Sequence, residues 1–238
     1  MPRVALFVTC IVDQMFPEVG RASVALLEAA GVTPEFPAAQ TCCGQPALSA
    51  GEPEAAARLA RHFVEVFEPF DAIVAPSGSC IAMLRHWYTR LPGVDRERAE
   101  RVASRAYELS QYLVDVVDRP DLGARISGTV TVHDSCHGLR TLGIRDSTRV
   151  LLETAGARVV EMTEPETCCG FGGVFAMTHP EISTPLADRK LLDAATTRAD
   201  HVVAGDIACL AHLAGRRRRT HVGPEPVHFA VLLAGGLP

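Results

Sequence analysis

The stretch Asp71–Leu84, DAIVAPSGSCIAML, returns at Asp200–Leu213 as DHVVAGDIACLAHL. Each copy starts as a short apolar run of the strand type and breaks at a turn rich in Pro, Gly, Ser or Asp. It then resumes with a cysteine at the head of a helical pattern. A second pair of segments precedes it in the same order: LLEAAGV at Leu26–Val32 and LLETAGA at Leu151–Ala157. Matches that keep their order along a chain indicate two copies of one structural unit. The join falls near Asp118–Gly123, a polar stretch with turn residues. It divides the chain into a first repeat, residues 1–120, and a second, residues 121–238.

The cysteines obey the same duplication. Cys10 and Cys42 are separated by 31 residues, and so are Cys136 and Cys168. Each interval ends in an adjacent pair followed by glycine, Cys42-Cys43-Gly44 and Cys168-Cys169-Gly170. Cys80 follows after 36 residues in the first repeat, and Cys209 after 39 in the second. Buried cysteines that only fill space as small hydrophobes have no reason to repeat in this way.

Apolar runs predict strands at Arg3–Val8, Val32–Phe36 and Asp71–Ala75, then at Thr129–His133, Arg158–Met162, His201–Ala204 and Val222–Val227. Helical spacing covers Val19–Ala30, Pro53–Phe67, Cys80–Thr89, Thr148–Ala155, Pro185–Thr197, Ala208–Leu213 and Phe229–Ala234. Arg96–Val117 reads as one long helix linking the halves. The alternation predicts an α/β protein of two duplicated Rossmann-like lobes, each with a short parallel sheet. In that arrangement Cys10, Cys80, Cys136 and Cys209 fall just after strands, and the Cys-Cys-Gly segments lie in loops after further strands. The carboxyl ends of strands are where open α/β sheets hold their ligands.

Four thiolates per half suit zinc or an iron–sulfur cluster. Two neighbouring cysteines reach one small ion in tetrahedral geometry with difficulty, and reach different irons of a cluster more easily. That favours iron–sulfur over zinc. Thiol–disulfide chemistry is a further alternative, although no Cys-x-x-Cys motif is present. The run Cys168–Gly173, CCGFGG, supplies backbone N–H groups that can point at cluster sulfides. His133, Asp134 and His137 surround Cys136, while Met83 and His212 follow Cys80 and Cys209 by three positions. The three histidines are candidates for contacts to the ligands or for an additional ligand. His228 reads as structural.

Composition narrows the partners. With 23 Lys+Arg against 28 Asp+Glu the formal net charge is −5, which argues against nucleic acid as the main partner. The short basic run Arg216–Arg219 reads as a solvated helix end. A chain that is 47% hydrophobic and 21% charged is globular, not disordered. No apolar run approaches the ~18 residues of a membrane span. The opening MPRVALFVTC runs straight into a strand without a cleavage signal, so a cytoplasmic, thiol-reducing location is expected.

The doubled cysteine pattern resembles the cysteine-rich CCG domain of iron–sulfur oxidoreductase subunits, among them the CCG-bearing component of heterodisulfide reductase and the glycolate oxidase iron–sulfur subunit. HDSCHGLRTLGI (His133–Ile144), CCGFGGVFAMTHPEIS (Cys168–Ser183) and GDIACLAHLAG (Gly205–Gly215) are similar to the lactate utilisation protein A family. The resemblance implies an electron-carrying subunit that acts with B-like and C-like partners in oxidising L-lactate to pyruvate. It implies that Cys10, Cys42, Cys43 and Cys80 hold one centre, and Cys136, Cys168, Cys169 and Cys209 the other. The fuller pattern of heterodisulfide reductase ends each repeat with another cysteine, where this chain has Met83 or His212. One 4Fe–4S cluster per repeat is therefore expected, with zinc as the alternative in one of them. A zinc-stabilised docking module and a thiol/disulfide reductase subunit are the competing functions.

Overall fold

A computed structural model describes residues 2–238. The first lobe contains β1 (Val4–Leu6), α1 (Cys10–Met15), α2 (Pro17–Ala29), β2 (Pro34–Glu35), α3 (Gln45–Ser49), α4 (Pro53–Phe67), β3 (Ala72–Ala75), α5 (Gly78–His86), α6 (Arg96–Ala103), β4 (Ala106–Glu108) and α7 (Leu109–Gln111). A π-helical turn at Tyr112–Val116 extends α7. The second lobe contains β5 (Thr129–Val132), a π-helical turn at His137–Thr141, α8 (Asp146–Thr154), β6 (Arg158–Val159), α9 (Val174–Thr178), α10 (Pro180–Thr196), β7 (His201–Ala204), α11 (Ile207–Thr220), β8 (Glu225–His228) and α12 (Phe229–Ala234). The sheets are all parallel and share one topology, β2-β1-β3-β4 and β6-β5-β7-β8. The predicted duplication and fold class hold at the level of strand order.

Two expectations need correction. The long helix over Arg96–Val117 is interrupted. After α6 the chain forms β4, whose Ala106, Tyr107 and Glu108 pair with Ile73, Val74 and Ala75. Three residues are too few to show a strand period, and Ala106 is buried by tertiary packing that local propensity does not report. Helix α10 begins at Pro180, so Pro185 lies inside it and forgoes one backbone hydrogen bond. Helices α1, α3 and α9, each a single turn or little more, lie in stretches to which the sequence pattern assigns no element. The run Arg216–Arg219 does end a helix, α11. Arg216 pairs with Asp188, and Arg217 donates to the Gly223 carbonyl at 3.0 Å.

Alternation along the strands sends side chains to two cores. In β1, Val4 and Leu6 face one side, and Ala5 and the following Phe7 face the other. The first side is a core shared by both lobes. Leu26, Leu27, Val74, Leu109 and Leu113 of the first lobe pack with Leu151, Leu152, Val203, Phe229 and Leu233 of the second. The lobes exchange helices to build it: α12 packs on α2, and α7 with its π turn packs on α8. The opposite face of the first sheet is closed by α4, whose Ala56, Ala60, Phe63 and Phe67 form a buried stripe. Phe7 meets Phe63 and Phe67 edge-on, and Tyr88 meets Phe63 the same way.

The ends of β4 and β8 place equivalent residues at the exchange. Glu108 accepts hydrogen bonds from the Ser110 and Gln111 amides (2.8 and 3.2 Å) and from the Ser110 hydroxyl. Ser110 Oγ in turn accepts one from Thr148 of α8 at 3.2 Å. His228 Nδ1 accepts from the Ala230 amide at 3.2 Å, capping α12. Both residues are almost fully buried, and Glu108 Oε1 meets no donor. Burial pushes the Glu108 carboxyl up to about 7, although Ser110 and Gln111 oppose the shift. Burial pushes the His228 imidazole down to about 4.

Two outcomes are expected. Because Phe229 lies in the shared core, Phe229→Ala is expected to cost about 3–5 kcal/mol, with the chain still unfolding in one urea transition followed by circular dichroism. Two separated transitions would show that the lobes have independent cores. The second concerns Glu108, which holds its proton more tightly folded (about 7) than at its ordinary value of 4.5. Its contribution to stability is therefore full below pH 4.5 and is lost as the pH rises towards 7. Glu108→Gln stays neutral and removes that loss. Its stability relative to the parent is expected to improve by something on the order of 3 kcal/mol between pH 4.5 and pH 8, read by urea titration at both values. A difference that does not change with pH would contradict this.

Candidate metal centres

In the first lobe the chain delivers four cysteines to the carboxyl edge of the sheet from three segments. Cys10 opens α1 after β1, Cys42 and Cys43 follow β2, and Cys80 lies in the first turn of α5 after β3. Their sulfurs form two contacting pairs, Cys10–Cys42 at 3.5 Å and Cys43–Cys80 at 3.4 Å. Cys43 and Cys80 are buried, whereas Cys10 and Cys42 are half-buried and line the open side. Hydrogen bonds from the Cys10 and Cys43 thiols, helped by the Gly44 amide, push Cys42 down to about 3, while Cys10 is raised. Tyr88, fully buried, donates its hydroxyl to the Cys43 carbonyl at 2.9 Å and fixes the loop from below.

The glycine of each Cys-Cys-Gly segment has a definite task. Gly44 and Gly170 adopt φ of +88° and +87°, values that side-chain-bearing residues rarely take. This left-handed step turns each amide back onto the first sulfur of the pair, Gly44 N to Cys42 Sγ at 3.4 Å and Gly170 N to Cys168 Sγ at 3.3 Å. It also presses the loop against the next long helix. A Cβ on Gly170 would lie 2.3 Å from the Ser183 carbonyl oxygen, and one on Gly44 would lie 3.2 Å from that of Ala56.

The second lobe repeats the arrangement with different neighbours. Cys136 follows β5, Cys168 and Cys169 follow β6, and Cys209 lies in the first turn of α11. Cys169 and Cys209 are buried; Cys136 and Cys168 are half-buried. Cys136 is raised by burial and then by the charges of Cys168 and Asp206, and Cys168 by its hydrogen bond with Cys169 and by burial. A cation taken up there displaces those protons. His133 brings a ring nitrogen to Cys169 and Cys209, the three donor atoms all within 4.8 Å of one another. His137 Nδ1 lies 3.7 Å from Cys136 Sγ, and its Nε2 meets Gln45 Nε2 of the first lobe at 3.3 Å. His212 instead pairs with Ser183 Oγ at 3.2 Å, and Ser183 donates to the Gly170 carbonyl at 2.7 Å. Asp134 is locked by a bidentate pair with Arg149 (2.8 and 2.9 Å), which fixes the end of β5 beside Cys136. Met83 is buried core; His228 caps α12, in keeping with the structural role read for it from the sequence.

One carboxylate serves both cysteine helices. Asp206 Oδ1 accepts from the Ala208 amide of α11 at 3.2 Å, and Oδ2 from the Ser79 amide of α5 at 2.8 Å. The Asp206 backbone also forms an isolated antiparallel bridge with that of Ser77, the residue at the equivalent place in the first lobe, whose hydroxyl accepts from the Cys80 amide at 3.3 Å and caps α5. The two cysteine helices are therefore tied together at their N-termini. A small cleft between the lobes is walled by Glu108, His133, Asp134, Ser135, Arg145 and Thr148. None of the thiols lines it.

Lys190 escapes a reading of the sequence. This ammonium is 1% exposed and donates to the Glu164 and Pro165 carbonyls at 2.6 and 3.1 Å, close enough to feel the charge of Cys169. Its one signal is a lysine on the apolar face of a helix, between Ala187 and Ala194. Burial, and then the Lys190 charge, push His133 down to about 3 and keep that imidazole neutral. The Pro165 carbonyl acts on it from outside hydrogen-bond geometry.

Eight free thiols, grouped in fours with soft sulfur donors in mutual contact, make a donor set suited to a metal ion or an iron–sulfur cluster. Among the described residues no helix is long and apolar enough to cross a membrane.

Comparison with known proteins agrees with the duplicated geometry. The cysteine-rich domain family CCG matches twice, at residues 4–85 and 130–214. The chain is 40% identical over 234 residues to Lactate utilization protein A of Oceanobacillus iheyensis, covering 97% of this chain and 96% of that protein. It is 41% identical over 235 residues to Lactate utilization protein A of Bacillus cytotoxicus, covering 97% and 98%. Among solved structures, glutamate racemase from Francisella tularensis overlaps 98% of this chain and 78% of that one at 13% identity. Its TM-score of 0.37 carries no weight for fold or chemistry. Two cysteine-rich repeats, and this degree of identity over nearly the whole length, place the chain in the Lactate utilization protein A family.

Proposed function

We propose that this protein is the iron–sulfur electron carrier of a lactate-oxidising system, with one 4Fe–4S centre in each repeat. Cys10, Cys42, Cys43 and Cys80 hold the first; Cys136, Cys168, Cys169 and Cys209 hold the second. The observation that carries this reading is the convergence of four sulfurs on one sheet edge, twice, from three separate segments each time. The repeats divide at residues 120 and 121. The names of its relatives, which refer to lactate utilization, support the choice of lactate.

Lactate gives up two electrons and two protons in becoming pyruvate. The sequence contains no Gly-x-Gly-x-x-Gly dinucleotide fingerprint, so the step at the substrate belongs to partner chains of the B-like and C-like type in the cytoplasm. A bound cluster supplies one-electron redox chemistry. The residues of this chain set its surroundings. The Gly44 and Gly170 amides donate to sulfur, which favours added negative charge. Lys190 adds a buried cation beside Cys169. Burial of Cys43, Cys80, Cys169 and Cys209 keeps water from the inner sulfurs, while the half-buried thiols leave each centre one open side towards a partner.

One observation favours zinc in the second lobe: the tight grouping of His133, Cys169 and Cys209 suits a single ion. Metal analysis separates the readings. Purified without oxygen, the chain is expected to be brown and to carry about eight irons with matching acid-labile sulfide. Cys43→Ser and Cys169→Ser are each expected to lose about half of that iron. A colourless chain with stoichiometric zinc would overturn the iron–sulfur reading.

A further inference from the structure

The repeats differ most where they matter most. Counting from the cysteines, His133, His137 and His212 of the second lobe stand where the first lobe has Phe7, Ile11 and Met83. The structure gives these exchanges different weights. Phe7 joins the aromatic group of Phe63 and Phe67, and closes the floor of the first lobe with carbon alone. His133 occupies the same place at the end of the central strand β5, and is 2% exposed. Neither of its ring nitrogens has a hydrogen-bond partner. A buried polar group without a partner is destabilising, so an imidazole there calls for something to bind. One of its nitrogens lies with the Cys169 and Cys209 sulfurs inside a 4.8 Å group. Among the described residues this is the only place where three such donors from separate segments come so close. In the first lobe, by contrast, the close contacts Cys10–Cys42 and Cys43–Cys80 are between sulfurs alone.

We infer that His133 is a metal ligand, so that the centre of the second lobe has a mixed nitrogen–sulfur donor set and the two centres are chemically unequal. The deduction rests on the reading that each lobe holds a metal, and departs from it in making an imidazole part of the second site. His133, Cys169 and Cys209 form the buried side of that site; Cys136 and Cys168 remain on its open side. A 4Fe–4S cluster offers four corners to the protein, so His133 takes the place of one of the four thiolates; that exchange removes negative charge from the ligand set and raises the reduction potential of the centre. The second centre is then the better electron acceptor of the two, and the gradient within the chain runs from the first lobe to the second. His137 is not part of the claim, since Gln45 already pairs with its Nε2.

The test uses the full-length chain, prepared without oxygen and labelled with ¹⁵N-histidine. Pulsed electron paramagnetic resonance of the reduced protein is expected to show a strongly coupled, directly bound nitrogen whose signal changes with the isotope. Two variants locate it. His133→Phe installs the residue the first lobe carries, and is expected to lose about half of the bound iron. His133→Cys is expected to keep the iron and lose the nitrogen coupling, which guards against a result caused by misfolding. Full iron content without any bound nitrogen in the parent protein would overturn the inference while leaving the iron–sulfur reading intact. If the chain takes zinc instead of iron, that reading fails, yet His133 is still tested. Half the zinc in His133→Phe supports it as a ligand, and unchanged zinc overturns it. A chain that binds neither metal sinks both.

Discussion

The carboxylate of Asp206 is the point on which this architecture turns. It is 2% exposed, it caps the helix that carries Cys209, and it also accepts from the helix that carries Cys80. A buried carboxylate is tolerated only when its oxygens are satisfied, and here each oxygen has an amide from a different lobe. The two cysteine helices are therefore held at a fixed relation to each other. Everything that matters chemically lies at the carboxyl edges so joined. The exchanged helices α7 and α12 add the apolar part of the same junction, because each packs on the other lobe and neither lobe completes its core alone.

Much of this is legible in the sequence, for physical reasons that can be named. A parallel strand buried on both faces reads as an apolar run, so the expected bounds of β3 and β7 lie close to those observed. The cysteine positions after strands follow from those runs. Glycine after each cysteine pair signals a tight turn, and the left-handed φ at Gly44 and Gly170 supplies the cause. Strand β4 is hidden because Ala106–Glu108 sits in a stretch of good helix formers, and only its neighbours β3 and α7 make it extended. Lys190 and Glu108 are invisible as site residues for a different reason. A lysine or glutamate in a helical pattern reads as solvated, and their burial arises from tertiary contacts that no local window contains.

Duplication usually implies equivalence, and here the backbone honours it while the side chains do not. Strand order, helix caps and the Cys-Cys-Gly turns repeat almost without change. Around the sulfurs, one lobe offers Phe7, Tyr88 and Met83, and the other offers His133, Lys190 and His212. The first environment is apolar and the second is rich in groups that bind, donate or carry charge. Two identical redox centres would pass an electron back and forth with no preference, whereas unequal ones give it a direction. The same scaffold, copied once and then changed at a few positions beside the sulfurs, gives the two groups of thiols unequal surroundings.

Anomalous diffraction at the iron edge, from crystals grown without oxygen, tests the central claim most directly. The account predicts iron at two separate positions, one among Cys10, Cys42, Cys43 and Cys80, and one among Cys136, Cys168, Cys169 and Cys209. Iron confined to the cleft between the lobes, or sulfur quartets that hold none while iron binds elsewhere, would contradict it.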